Sequence, residues 1–445
     1  MRMQPFLRMM LIASLAVLIA AQARAVSLLR DPDIEHALSR LATPVLEAAG
    51  LPAARIRILV VDDASLNAFI IDRDHIFLHR GLLLRFKTPE ELQAVIAHEA
   101  AHITNGHLAR RPVNARRAQT VAGFGLALAA AVAASGESSA AAALGIGIQS
   151  SAQRVFFGHT RAEESSADRS AIRTLVRARI DPMGAVRLME VFSGQELLSE
   201  HRQDPYARTH PLSRDRLRAM EAAAAPHAGR FPTDNASRYW FARAQGKLSA
   251  FTRAPKWTLR RAGESGYEDI AAMRRAIAWH RSGRSDKAVK TLQGLVQARP
   301  KDAYLRELLG QVQLERRQYG AALSAYKSAV DRAPRNALIL GQYGHALLVS
   351  GNPKAALPQL ERALRRDARD ARVLRDLGGA YARLGRPGMA TLMAAERYAL
   401  QGRMKDAGIQ AKRASGLLKR GAPGWQRAQD VLLASQAAQS SRRNK

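Results

Sequence analysis

The chain has 445 residues, no cysteine and 47% hydrophobic content, which leaves room for two or three domains and excludes a disulfide-stapled scaffold. Its net charge of +31 is uneven, because from Lys256 onward 37 Lys and Arg face 15 Asp and Glu, an excess of +22. Such a half suits anionic lipid headgroups or acidic protein surfaces, or is a solvated Arg-rich face, and without an aromatic-interleaved or groove-reading motif no nucleic-acid partner is expected.

The first 25 residues read as a secretory signal peptide: Arg2 and Arg8 precede an apolar run from Met9 to Ala20, and Ala23-Arg24-Ala25 forms a small-x-small cleavage site. Export without cysteine points to a soluble bacterial periplasmic protein starting at Val26. The segment from Arg55 to Gly81 then reads as strands. Ile56 to Val61 is β-rich, and Ala68 to Ile71 and Ile76 to His79 flank Asp72-Arg73-Asp74 as a hairpin. A small sheet of this kind offers an edge to which an extended substrate adds by backbone hydrogen bonds; the sequence does not tell which strand is the edge.

Thr88-Pro89-Glu90-Glu91 carries the signals of a helix start, with Thr88 as N-cap, Pro89 at the first position and Glu91 closing a capping box. The helix is expected from about Pro89 to Gly106. On it, His98 and His102 stack one turn apart, so both imidazoles reach one metal while Glu99 points at a water. His107 has the wrong spacing to share that face and reads as a supporting or structural residue. The run from Thr120 to Ser151 is made mostly of Ala, Gly, Leu, Val and Ser. It reads as a buried helix or as a segment that lies on a membrane or covers a cleft.

Two histidines leave a hydrolytic zinc one protein ligand short. Thr160-Arg161-Ala162-Glu163 opens a further helix on which Glu164 and Asp168 face the same way. Glu164 is the expected third ligand, and Asp168 is placed to accept a hydrogen bond from a ligand imidazole, His98. His210-Pro211 lies in a loop before a helix beginning near Ser213. Farther on the chain repeats with a period of 34: Gly310, Gly344 and Gly378, then Ala288, Ala322, Ala356 and Ala390, with Pro300 followed by Pro334. That is a tetratricopeptide array, whose register shifts at Gly402 to Ala407, so the last helices are expected to form a divergent cap.

The stretch from His98 to Arg110, Glu164-Ser-Ser-Ala-Asp168-Arg169, and His210-Pro211 with Arg216 six residues after the histidine together resemble the gluzincin peptidases related to HtpX and the CAAX prenyl protease. The likeness is to their soluble periplasmic branch, which also carries a C-terminal helical repeat domain. It implies that His98, His102 and Glu164 bind zinc and that Glu99 is the base. It also implies that His210 is a latch or fourth ligand that occupies the open position. One departure is Asp72-Arg73-Asp74, where relatives tend to have glycines.

The expected architecture is mainly α. A signal peptide at 1–25 precedes a zinc metallopeptidase domain of helices and a small sheet over 26–255, followed by an α-solenoid of tetratricopeptide repeats over 256–445. The expected function is that of a periplasmic endopeptidase with one zinc per chain. It degrades misfolded or stalled envelope proteins, and the repeats capture protein or peptide substrates or the outer-membrane assembly machinery. Peripheral membrane contact through 120–151 is part of this reading. The competing reading is a chaperone or assembly adaptor with little or no proteolysis.

Overall fold

The computed structural model describes residues 27–110, 161–192, 203–210 and 213–443. The expected signal peptide, the run from Thr120 to Ser151 and Thr160 lie outside the described residues. Residues 28–376 form one compact unit and 377–445 a second.

In the first unit the strands are Leu28–Leu29 (β1), Arg57–Val61 (β2), Ala68–Ile70 (β3) and His75–His79 (β4), in the order β1-β2-β4-β3. β2 and β4 run parallel, and β1 and β3 pair antiparallel on the outside as the two edges. The expected hairpin forms with Ile70 opposite Ile76. Its Asp72 carboxylate accepts from the Asp74 N–H at 2.9 Å and from His75 Nδ1 at 2.8 Å. Side-chain closure of this kind builds the turn without glycine.

Helix α1 (Pro32–Ala48) starts where Asp31 accepts from the N–H groups of Asp33 and Ile34, with Pro32 at the first position. After the short α2 (Arg80–Arg85), α3 (Pro89–Thr104) is buried at every position from Pro89 to Ile103. It is the floor of the domain. The capping box differs from expectation: Thr88 makes no side-chain cap bond and its Oγ1 is buried without a partner, while Glu91 Oε2 accepts from the Lys87 N–H at 2.8 Å. The glutamate therefore caps one residue earlier than the sequence pattern suggests. Gln93 ties α3 to α1 through the Leu41 carbonyl at 3.2 Å.

The next elements are α4 (161–177), α5 (Met183–Val191), α6 (Pro205–Thr209), α7 (Arg214–Ala224) and α8 (Asn235–Thr252). After α9 (Pro255–Arg260), the repeat helices are α10 (Glu268–Arg281), α11 (Ser285–Ala298), α12 (Ala303–Glu315), α13 (Tyr319–Arg332), α14 (Ala337–Val349), α15 (Pro353–Arg366) and α16 (Ala371–Arg383). The 34-residue period has a packing cause. A Cβ at Gly310 would meet the Tyr326 ring at 3.0 Å, and one at Gly344 would meet Leu360 at 2.6 Å, so the helices of a pair cross where there is no side chain. Asp302 and Asn336 recur as N-caps of α12 and α14.

The repeats join the sheet-bearing part of the same unit through buried charge. Arg243 on α8 donates to Asp33 Oδ1 and Asp302 Oδ2, both at 2.7 Å, and Lys247 Nζ lies 3.0 Å from Asp31 Oδ2. Asp367, before α16, takes Arg30 at 2.8 Å and Arg57 at 2.9 Å. Burial pushes Asp367 up, but the two guanidinium groups hold it at about 2.

The second unit contains α17 (Pro387–Leu400), α18 (Met404–Leu417) and α19 (Pro423–Arg443). Gly402 takes φ +71, the left-handed conformation that Gly283, Gly351 and Gly385 adopt in the turns inside repeats. The turn at Gly402 thus pairs α17 with α18, which accounts for the register shift read from the sequence.

Gly184 tests the seating of α3, since a Cβ there would come within 2.6 Å of the Glu90 backbone. Gly184→Ala is expected to push α5 off α3 and cost about 1–3 kcal/mol, read from the denaturant midpoint of unfolding.

Candidate metal centre

Helix spacing alone brings His98 and His102 to one face of α3, and their ring nitrogens Nε2 face each other at 3.0 Å. α4 crosses opposite and carries Glu164 inward, with Oε2 3.3 Å from His98 Nε2 and Oε1 3.3 Å from His102 Nε2. His210, at the C-terminus of α6, completes the group, with Nδ1 3.0 Å from Glu164 Oε2 and 3.3 Å from His98 Nε2. One ligand atom from each of His98, His102, Glu164 and His210 lies within 4.8 Å of all the others, and all four residues are buried. Glu99, 1% exposed, has its Oε1 without a hydrogen-bond partner, 3.4 Å from His210 Nε2.

The outer nitrogens are tied as well. His98 Nδ1 is 3.2 Å from Asp168 Oδ1, as the spacing of Glu164 and Asp168 suggested. His102 Nδ1 is 2.8 Å from His107 Nδ1, so His107 stands behind the His102 imidazole and outside the cluster. Burial first, then the neighbouring His102, pushes His107 down to about 4, which keeps it neutral and able to accept the His102 Nδ1 proton. Both inner imidazoles thereby present Nε2 to the centre.

Two further residues matter here. Arg216 on α7 grips Asp168 with both prongs, Nε to Oδ2 at 2.7 Å and Nη2 to Oδ1 at 2.9 Å, and its Nη2 lies 3.3 Å from Glu164 Oε2. The sequence marked it only by its distance from His210 and gave it no role. Tyr206 on α6 is the second. Its ring lies 4.6 Å from that of His210, and its N–H donates to the Leu66 carbonyl at 3.0 Å. A buried aromatic four residues before a site histidine was the available signal.

The electrostatics suit a cation. Burial pushes Glu164 up, yet the imidazoles of His210, His102 and His98 hold it well below the usual carboxylate range. Asp168 is likewise lowered against its burial by His98 and Arg216. Two imidazoles and an ionised carboxylate, converging with an unpartnered carboxylate oxygen beside them, fit a divalent metal. A ligand imidazole must be neutral. Burial lowers His98, but Asp168 and Glu164 overcome it and raise the group to about 10. Metal uptake at neutral pH is therefore expected to release about one proton, with affinity weakening as pH falls below that value. Calorimetric titration in buffers of different ionisation enthalpy measures it, and Asp168→Asn should reduce the release.

Residues 28–224 match the family described as peptidase family M48, and residues 274–337 and 313–384 match tetratricopeptide repeats. Among curated relatives, the beta-barrel assembly-enhancing protease of Escherichia coli strain K12 is 25% identical over 313 residues, 68% of this chain and 63% of that protein. The putative beta-barrel assembly-enhancing protease of Vibrio cholerae is 28% identical over 193 residues, 42% of this chain and 39% of that one. The mitochondrial metalloendopeptidase OMA1 of Schizosaccharomyces pombe is 27% identical over 188 residues, 41% of this chain and 51% of that one. The chain thus spans less than two thirds of the length of these relatives. It carries a peptidase family M48 domain that holds the histidine and glutamate cluster, with tetratricopeptide repeats behind it.

Proposed function

We propose that the chain is a zinc-dependent endopeptidase acting on proteins of the bacterial envelope. The observation that carries the reading is the buried meeting of His98, His102, Glu164 and His210 beside the free oxygen of Glu99. His98, His102 and Glu164 are the metal ligands, one zinc per chain. The cation supplies Lewis acidity, polarising a carbonyl and making a neighbouring water easier to deprotonate. Glu99 takes the proton of that water at its unpartnered Oε1 and returns it to the leaving amine. Asp168 and His107 hold the two imidazoles in the tautomer that leaves Nε2 free, and Arg216 holds Asp168. The edge strand β3 is the place where an extended substrate adds its backbone, which makes recognition tolerant of side chains.

His210 acts as a latch in this reading. It occupies the neighbourhood a water needs, 3.0 Å from Glu164 and 3.3 Å from His98. The same short helix bonds the lead-in to β3 through Tyr206 and Leu66.

The periplasm is the proposed location. Its support is the apolar run from Met9 to Ala20 followed by Ala23-Arg24-Ala25, the lack of cysteine and the names of the bacterial relatives. Misfolded or stalled outer-membrane proteins are the proposed substrates, and the repeats bind these clients or their assembly machinery. No helix among the described residues is long and apolar enough to cross a membrane.

Glu99→Gln keeps the shape and removes the base. Zinc content should stay at wild-type level while peptide turnover falls by roughly 10²–10⁴; undiminished turnover would refute the mechanism. His210→Ala should raise basal proteolysis and self-cleavage with zinc retained. An inactive His210→Ala protein with zinc bound would make His210 a catalytic donor instead of a latch.

A further inference from the structure

The excess positive charge of the repeats is periodic. Lys301, Arg335 and Arg369 stand 34 residues apart, each directly before the polar residue that opens the next helix, Asp302, Asn336 and Asp370. Arg332 and Arg366, at the ends of α13 and α15, repeat with the same spacing. The turns between repeats therefore carry a ladder of cations. Lys301, Arg335 and Arg366 are exposed and make no side-chain hydrogen bond or ion pair among the described residues.

The ladder borders two crevices against α1. One, of about 470 Å³, is lined by Lys301 and Arg332 together with His36, Trp240 and Tyr304. The other, of about 360 Å³, is lined by Arg335 and Arg366 and shares His36 with the first. His36 stacks on Tyr304 at 4.7 Å and meets Trp240 edge-on at 5.0 Å, so the shared wall is aromatic. The third rung shows what such a position takes: Arg369 Nη1 binds the Asp72 carboxylate of the β3–β4 hairpin at 3.2 Å.

We propose that this ladder and its crevices bind an extended acidic segment of a partner protein. Carboxylates of the segment pair with Lys301, Arg335 and Arg366 as Asp72 pairs with Arg369, and an apolar or aromatic residue between them enters the aromatic wall. A crevice admits a chain and excludes a flat bilayer, and a second copy of a chain with net charge +31 is repelled. This names the partner chemistry for the repeat half of the proposed function. It is read by binding alone, so its failure is distinct from failure of the peptidase reading.

The test is fluorescence anisotropy of a labelled synthetic peptide of Asp, Glu, Phe and Ala with the full chain carrying Glu99→Gln. Binding is expected to weaken with added salt and to fall about tenfold or more on combining Lys301→Glu, Arg335→Glu and Arg366→Glu. Unchanged melting of that variant and graded losses from Lys301→Ala and Arg335→Ala separate the effect from misfolding. Equal binding by wild type and charge-reversed chain overturns the proposal. So does a peptide that fails to bind while vesicles of anionic phospholipid or single-stranded DNA bind through the same residues.

Discussion

Two carboxylates one turn apart on a buried helix face set the terms for the whole centre. Glu164 and Asp168 are 2% and 4% exposed, and an uncompensated pair of that kind costs several kcal/mol. Positive charge must come to them. Part of it is His98, which bridges both, and part is Arg216, whose fork closes on Asp168 and reaches Glu164. Arg216 lies in the first turn of α7, so satisfying Asp168 fixes where α7 begins. The chain six residues earlier is thereby brought to the cluster, and His210 arrives among the ligand atoms. His210 and Arg216, six residues apart, thus reach the same pair of acids, His210 at Glu164 and Arg216 at Asp168.

The same economy of carboxylates builds the joint between sheet and repeats. Asp31 gives Oδ1 to the start of α1 and Oδ2 to Lys247. Asp302 gives Oδ1 to the start of α12 and Oδ2 to Arg243. Asp367 gives Oδ1 to the Arg369 N–H and Oδ2 to Arg30 and Arg57. In each case one oxygen ends a local turn while the other makes a long-range contact. The joint is loosest at buried Glu307, whose Oε2 lies 3.6 Å from Lys247 Nζ, and burial outweighs that cation and raises the carboxyl to about 7. Buried charge of this sort adds little net stability over packed apolar residues, but removing one partner leaves the other unpaired at a cost of about 3–5 kcal/mol.

That division also marks what the sequence revealed. His98 with His102, and Glu164 with Asp168, were legible because four-residue spacing on a helix puts two side chains on one face, and Glu99 because it directly follows the first histidine. The repeats were legible because close helix crossing demands a small residue every 34 positions, as at Gly310 and Gly344. The hairpin around Asp72 was readable from its alternation, and its lack of glycine became understandable once Asp72 was seen closing the turn. Long-range choices were not legible. Nothing local tells that Arg30 finds Asp367, that Arg216 finds Asp168, or that β3 lies at an edge. The box at Thr88 failed for a related reason: the pattern fixed a glutamate able to turn back, and packing that buries Thr88 Oγ1 sent it to Lys87 instead.

The placement of α6 connects the two halves of the proposed chemistry. Its five residues put His210 beside the ligands at one end, while the Tyr206 N–H bonds the carbonyl of Leu66, two residues before β3. One short segment therefore stands both where a water is needed and against the approach to the substrate edge. A five-residue helix has few internal bonds to lose, and the cost of its displacement is set mainly by Tyr206, which is 2% exposed and stacks on Phe192 at 4.7 Å, whereas α3 is buried at every position from Pro89 to Ile103. If the segment leaves, the His210 imidazole and the Tyr206 bond to Leu66 leave together. In the proposed reading, access and activation are then coupled through this one segment, and a client shifts the balance only by binding the displaced state more tightly than the seated one.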